Sequence, residues 1–295
     1  MKAEASCIIP ADWHLWSETR PSVIRPLAGG LTNQSYLLSA GGRRLVLRKN
    51  SPISAALDLD RAAEVAALRQ ADRAGLCAPL VYSDPDHQYL VTEYLEGAPW
   101  RAQGPADLQA LAQLLRRIHA LPAIGVRLDL AEKVGAYWNA IDEGLENYRT
   151  LAVLEKQCRQ KLADLAASAR RDCLCHNDLS TGNLIVTGDA GLLAIDWEYA
   201  AMGDPFYDLA VVIEDHCLNL AEQKVLLEEY LDEFVSHLDW QRLYRWRIIY
   251  KYLCILWYSV KSSSSVEFQK ENQQEIMNRA SELVNFCSVN DCPKL

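Results

Sequence analysis

Between residues 173 and 208 the chain changes texture, and this stretch limits the possible folds more than any other. Two short apolar runs, Leu184-Ile185-Val186 and Leu193-Ala194-Ile195, are strand-like and joined through Gly188 to Gly191. Around them stand, in order, His176, Asp178, Asn183 and Asp196. Taken singly, each Asp or Asn reads first as a turn residue, because both favour turns. Taken together they form a set with a chemistry. Phosphoryl transfer needs a carboxylate to orient the attacking hydroxyl and hard oxygen ligands for magnesium. Asp178 on a loop, Asn183 at its end and Asp196 after an apolar strand supply that set.

The rest of the chain falls into two textures. Runs at 23–27, 35–39, 44–49, 80–82 and 89–93 alternate or are apolar, with Gly29-Gly30 and Gly41-Gly42 between them, as in consecutive hairpins. One helix interrupts them: 59–74 carries Ala62, Val65, Ala66 and Leu68 at helical spacing, and Gly75 stands where it should stop. A Gly-Ala-Pro turn at 97–99 marks the boundary between an N-terminal lobe, 1–97, and a C-terminal lobe, 98–295. Beyond it, amphipathic helices are predicted at 106–119, 131–148 and 151–167, and helices return from Ala221 onward. A β-rich lobe followed by a helical one is an α+β arrangement.

The strings Cys175-His176-Asn177-Asp178-Leu179, Gly182-Asn183-Leu184, Ile195-Asp196-Trp197-Glu198-Tyr199 and Gly203-Asp204-Pro205-Phe206-Tyr207-Asp208 resemble one family closely. That family is the aminoglycoside phosphotransferase and choline kinase superfamily, and the bacterial choline kinase branch is the nearest match. The resemblance implies a two-lobed protein-kinase-like fold with an antiparallel β lobe and a larger helical lobe. It implies Asp178 as catalytic base, Asn183 and Asp196 as magnesium ligands, and Asp208, with His176, as support for the catalytic loop.

In the N-terminal lobe there is neither a Walker A motif nor the Gly-x-Gly-x-x-Gly loop of protein kinases. Ala28-Gly29-Gly30-Leu31-Thr32-Asn33-Gln34-Ser35 stands there instead. Its small residues let backbone N–H groups approach a phosphate, and an ordinary hairpin turn reads as well. By the resemblance, Gly29, Gly30, Thr32 and Asn33 bind the nucleotide, Arg48 rather than Lys49 is the phosphate cation, Glu64 is its partner, and Glu93 to Leu95 adjoin the adenine. Asp196 is followed by Trp197-Glu198 and no long activation segment precedes Asp208, which argues for a small acceptor rather than a peptide.

Charge bears on the acceptor. With 30 Lys and Arg against 39 Asp and Glu, the formal charge is −9, a poor fit to a nucleic-acid partner and a better one to a cation. Trp246, Tyr250, Tyr252, Trp257 and Tyr258 follow helical spacing and read as core; by resemblance, Trp257 faces a quaternary ammonium, while Cys254 replaces a second family Trp. Glu198, Tyr199 and Glu214 are further substrate-side candidates on the same ground. The expected reaction is ATP- and magnesium-dependent phosphorylation of a cationic alcohol, choline first, with thiamine kinase and aminoglycoside phosphotransferase as alternatives and a nucleotide-binding pseudokinase as a distant one. The nine cysteines lack a Cys-x-x-Cys pair or zinc-finger spacing, the start resembles no secretory signal, and 248–260 is too short to span a bilayer. Reduced thiols, a cytoplasmic location and no stable membrane insertion are expected. His14, His87, His119, His216 and His237 have no motif context and read as structural or surface residues.

Overall fold

The computed structural model describes residues 8–28, 30, 32–167, 172–188 and 191–288. Five antiparallel strands open the fold: β1 (Ser22–Leu27), β2 (Gln34–Ala40), β3 (Arg43–Lys49), β4 (Leu80–Ser83) and β5 (Tyr89–Glu93), in spatial order β1-β2-β3-β5-β4. The register pairs Leu38 with Leu45 and Leu47 with Val91. Because side chains alternate along a strand, one sheet face carries Leu38, Ala40, Leu45, Leu47, Tyr89 and Val91, which close with Trp16 into a small core. Val46 and Arg48 face the other way. The pleat therefore separates Arg48 from Lys49 and turns only Arg48 toward the helix on that side.

That helix, α1 (Arg61–Arg73), starts under an Asp60 cap whose carboxylate accepts from the Ala63 N–H. It ends at Gly75, whose φ of +64° suits glycine. Its buried side, with Ala67, Leu68 and Ala71, joins Leu76, Leu90 and the helical half in one large core. The apolar interior is thus continuous across residue 97.

Two segments differ from the sequence expectation. Gly97–Pro99 is not a turn but strand β6, the edge strand of a three-stranded sheet with β8 (Leu184–Thr187) and β9 (Gly191–Ala194). At an edge Pro99 withholds no needed ladder donor, and Gly97 lies so close to β8 that a Cβ would meet the Val186 carbonyl oxygen at 2.3 Å. The single helix expected over 131–148 is interrupted. Following α2 (Pro105–His119), α3 (Leu130–Ala140) stops at Ile141, and α4 (Tyr148–Ala167) begins after a turn in which Asp142 accepts from the Gly144 N–H. Turn chemistry overrode the apolar spacing there.

The segment from 173 to 208 is short and β-like, as read. Strand β7 (Cys173–Cys175) pairs with β10 (Ala201–Gly203), and α5 (Pro205–Asp215) follows directly. Then come α6 (Leu220–Leu231), the long α7 (His237–Ser264) and α8 (Val266–Ser288). No described helix is long and apolar enough to cross a membrane. Helix α7 has two working faces. Trp246, Ile249, Tyr252, Leu253 and Leu256 are buried, with Trp246 against the Tyr207 ring at 5.5 Å. Tyr250, Cys254, Trp257 and Tyr258 recur at the 3.6-residue period and line a cleft. Trp246→Ala should cost about 3–5 kcal/mol of stability in urea unfolding; a loss below about 1 kcal/mol would mean that the face collapses into the space.

Candidate active site

The loop after β7 is shaped by one buried carboxylate. Asp208, fully buried in the first turn of α5, accepts from the backbone N–H of His176 (2.9 Å) and of Asn177 (2.6 Å). Asn177 takes a φ of +64° and Asp196 one of +63°. Left-handed backbone at a non-glycine residue costs energy that such hydrogen bonds must offset. The Asn177 Nδ2 donates to the Tyr199 carbonyl at 2.9 Å, tying the loop to the segment after β9. His119 reaches Asp208 from α2, with Nε2 3.0 Å from Oδ2, and His216 reaches the Leu179 carbonyl at 3.0 Å. Both histidines back the loop.

This scaffold presents Asp178, Asn183 and Asp196 to one cleft of about 1310 Å³. The Asn183 Nδ2 donates to the Asp178 carbonyl oxygen (2.9 Å) and to its Oδ2 (2.8 Å). With the amide nitrogen so used, Asn183 has its oxygen to offer a cation. Burial pushes the Asp178 carboxyl well above the usual carboxylate range, and Asp196 and Glu198 add to it. Burial, then Glu198, raise Asp196 to about 7, against the pull of Arg48. Two carboxyl groups held this far up suit a divalent cation, which would favour their charged forms. The oxygen donors present fit magnesium.

Behind the cleft wall lies a buried charge cluster. Arg48 pairs with Glu64 and, at 2.6 Å, with Asp196 Oδ1. Burial opposes the Arg48 charge, but Glu64, Asp196 and Glu198 outweigh that and raise its pKa. Arg61 spans the halves: Nη1 lies 2.9 Å from Glu64 Oε2 and 2.8 Å from Glu198 Oε2, and Nη2 donates to Asn33 Oδ1 (3.0 Å) and Ser54 Oγ (2.7 Å). Asn33 donates to the same Glu198 oxygen at 2.6 Å.

Of the residues singled out in the sequence, Gly30, Thr32, Asp178, Asn183, Asp196, Glu198, Tyr199 and Trp257 line the cleft. Asn33, Arg48 and Glu64 are buried beside it, and His176 and Asp208 lie beneath the loop. Gly29 lies outside the described residues. Glu93 and Leu95 do not line the cleft; the Glu93 carboxylate is 2.5 Å from Arg43. Glu214 does not line it either: its two oxygens are each 2.5 Å from a cation, Arg247 and Lys251, which turn it away from an acceptor. Glu198 faces the cleft but is held by Arg61 and Asn33.

Sequence reasoning passed over Arg61, Lys133 and Tyr137. Arg61 left a faint signal, one helical turn before Glu64. Lys133 left none: its Nζ donates to the carbonyls of Leu57 (2.8 Å) and Asp58 (2.6 Å), far away in the chain. It also sits 5.2 Å from the Tyr137 ring and 5.4 Å from the Tyr199 ring. On this side the lining continues through Tyr207, Tyr250 and Tyr258, and the Trp257 Nε1 donates to the Tyr199 hydroxyl at 2.7 Å.

Residues 23–246 match the model of a family described as the phosphotransferase enzyme family. Protein LicA of Haemophilus influenzae is 28% identical over 259 residues, covering 81% of this chain and 74% of that protein. Thiamine kinase of Escherichia coli K12 is 32% identical over 224 residues, covering 74% and 75%. The crystal structure of choline kinase LicA from Streptococcus pneumoniae shares the fold, with a TM-score of 0.70 at 23% identity over 88% of this chain and 95% of that one.

Two outcomes test this geometry. Arg61→Met leaves Glu198, 4% exposed, with Asn33 alone; urea unfolding should report a loss of about 3–5 kcal/mol. Adding Glu198→Gln should return part of it, and strict additivity would deny the pair. His176 is held neutral, since burial lowers it from 6.5 to about 4 despite Asp208 and the Ile195 carbonyl. A depressed pKa contributes stability above pH 6.5 that is lost as pH falls toward 4, here about 3 kcal/mol. The acid-side loss over that window should shrink in His176→Gln; an unchanged slope would place the titration elsewhere.

Proposed function

The chain belongs to the phosphotransferase enzyme family, and on that premise we propose that it transfers the γ-phosphoryl group of ATP to the hydroxyl of a small cationic alcohol, choline before thiamine. The observation that carries this reading is the make-up of the cleft. Nine carboxylates line it against four Lys and Arg side chains, and six aromatic rings surround the space beside Asp178. Acidic groups attract a cation, and ring faces hold one once water is excluded. Lys133, between Tyr137 and Tyr199, is an ammonium group already held by such rings. Choline is preferred because the catalytic strings resemble that branch most; the thiamine kinase relative keeps thiamine as the second reading.

In this reading Asp178 orients the acceptor hydroxyl and takes its proton as the oxygen attacks phosphorus. Its raised pKa suits a group that must be charged to accept and neutral afterwards. Asn183 and Asp196 would hold magnesium, which would supply neutralisation of the phosphate charge. Arg48, steadied by Glu64, is the phosphate cation on the N-terminal side. The backbone around Gly30 and Thr32 cradles the phosphates, with Asn33 beneath it; a Cβ on Gly30 would meet the Asn33 carbonyl oxygen at 2.7 Å. The proposed domains are 1–97, on the nucleotide side, and 98–295, on the acceptor side.

ATP consumption measured over choline, ethanolamine, thiamine and kanamycin should single out one cationic alcohol. The neutral analogue 3,3-dimethylbutanol should be a much poorer substrate than choline, and equal turnover of the two would remove the cation from the reading. With the substrate found, Asp178→Ala should cut turnover by about 10²–10⁴-fold, and near wild-type turnover would be fatal to its role. Trp257→Leu should raise the acceptor KM several-fold, in line with about 1 kcal/mol, and leave the KM for ATP in place.

A further inference from the structure

Outside the cleft, β7 carries a second group of chemically active side chains. Cys173 and Cys175 are two apart in a strand and so share one face. His119, from the last turn of α2, meets them there: one of its ring nitrogens and the two sulfurs all lie within 4.8 Å of one another. We propose that His119, Cys173 and Cys175 form a binding site for one thiophilic cation of the zinc(II) class, set behind the catalytic loop.

The spacing carries the proposal. Two sulfurs on one tetrahedral zinc ion, each bonded at about 2.3 Å, stand about 3.8 Å apart. Cys173 Sγ and Cys175 Sγ are 3.7 Å apart, so ligation needs almost no change in their separation. Their present contacts are weak ones, from Cys173 Sγ to the Gly203 carbonyl at 3.8 Å and from Cys175 Sγ to the Cys173 carbonyl at 3.7 Å. The imidazole is also set for ligation. Its Nε2 faces Asp208 Oδ2 at 3.0 Å, and that carboxylate, already accepting two backbone N–H groups, accepts a hydrogen bond from the ring N–H as well. A histidine that donates one N–H to a carboxylate and keeps a lone pair on the other nitrogen is the usual arrangement at metal sites. The lone pair on Nδ1 now accepts from the Tyr230 hydroxyl at 2.8 Å, a bond the cation replaces. Each thiol releases its proton on ligation. Solvent or the Tyr230 oxygen completes four-coordination, and access is from Cys173, which is part-exposed while Cys175 is buried.

The site differs in kind from the oxygen set at Asn183 and Asp196. Magnesium prefers hard oxygen donors and does not compete for thiolates. The alternative is that two thiols and an imidazole merely fill a polar gap.

Cobalt(II) titrated into the metal-free full chain distinguishes the two. The proposal expects tetrahedral ligand-field bands and thiolate-to-cobalt charge transfer that saturate at one equivalent and vanish when zinc(II) is added. Cys173→Ser, a part-exposed position that should not unfold the chain, is expected to abolish most of the charge transfer and weaken zinc(II) binding at least tenfold. Zinc(II) should raise the melting temperature of the wild type by mass action and not that of Cys173→Ser. Cys217→Ser, at an exposed thiol outside the cluster, should leave every signal unchanged. Absence of the charge-transfer band at one equivalent overturns the proposal. A band that survives Cys173→Ser overturns it too, by assigning the metal to other thiols.

Discussion

Two guanidinium groups set against three carboxylates hold the active half of this molecule in shape. Arg48 and Arg61 share Glu64, and between them they reach Asp196 and Glu198 on the other side of the cleft. Burying the charges of Arg48, Glu64 and Glu198 costs several kcal/mol per ion before any attraction is counted, so net stability is a weak reason for the cluster. Position is a better one. The Arg48–Asp196 and Arg61–Glu198 bonds cross from the sheet and α1 to the segment after β9, and no apolar contact could fix Asp196 so narrowly relative to Arg48. The count also falls one positive charge short. Burial first, and Glu198 after it, raise the Asp196 carboxyl, and a divalent cation would oppose both.

A second constraint comes from below. Asp208 collects two consecutive backbone N–H groups and an imidazole on one buried carboxylate. The loop from His176 to Asn183 therefore takes its path from α5 and α2 rather than from its own sequence. Left-handed Asn177 then lets its side chain turn back to the Tyr199 carbonyl. The strands on either side are too short to hold such a path alone. The supports extend to His119, which joins the loop to the proposed thiophilic site.

Helix α7 links stability to the cleft. At a period of 3.6 residues, its 28 residues present one stripe to the core and another to the cleft. The cleft stripe meets Tyr199 through the Trp257 indole, so this wall of the cleft is built on a rigid element with a packed back. For the cation proposed above, rigid rings would lose little freedom on binding, which favours affinity.

Much of this was legible in the order of residues. Alternation and glycine punctuation are local signals, and they marked the five-stranded sheet, α1 and the β-like stretch around 184–195. The strings around Asp178, Asn183 and Asp196 named side chains that the fold brings to one cleft. Where local signals competed, they misled: 97–99 carries turn residues but is held as an edge strand by β8, and 131–148 keeps helical spacing across a turn. Tertiary structure alone decided the partners. Glu214 matched a substrate-side position yet is neutralised by Arg247 and Lys251, and Glu198 is claimed by Arg61 from 137 residues away. Lys133 meets its carbonyl partners 75 and 76 residues off, and His119 meets Cys173 and Cys175 only because α2 ends beside β7. A residue's type limits what it can bind. Which neighbour it binds depends on how distant segments pack, and no spacing along the chain records that.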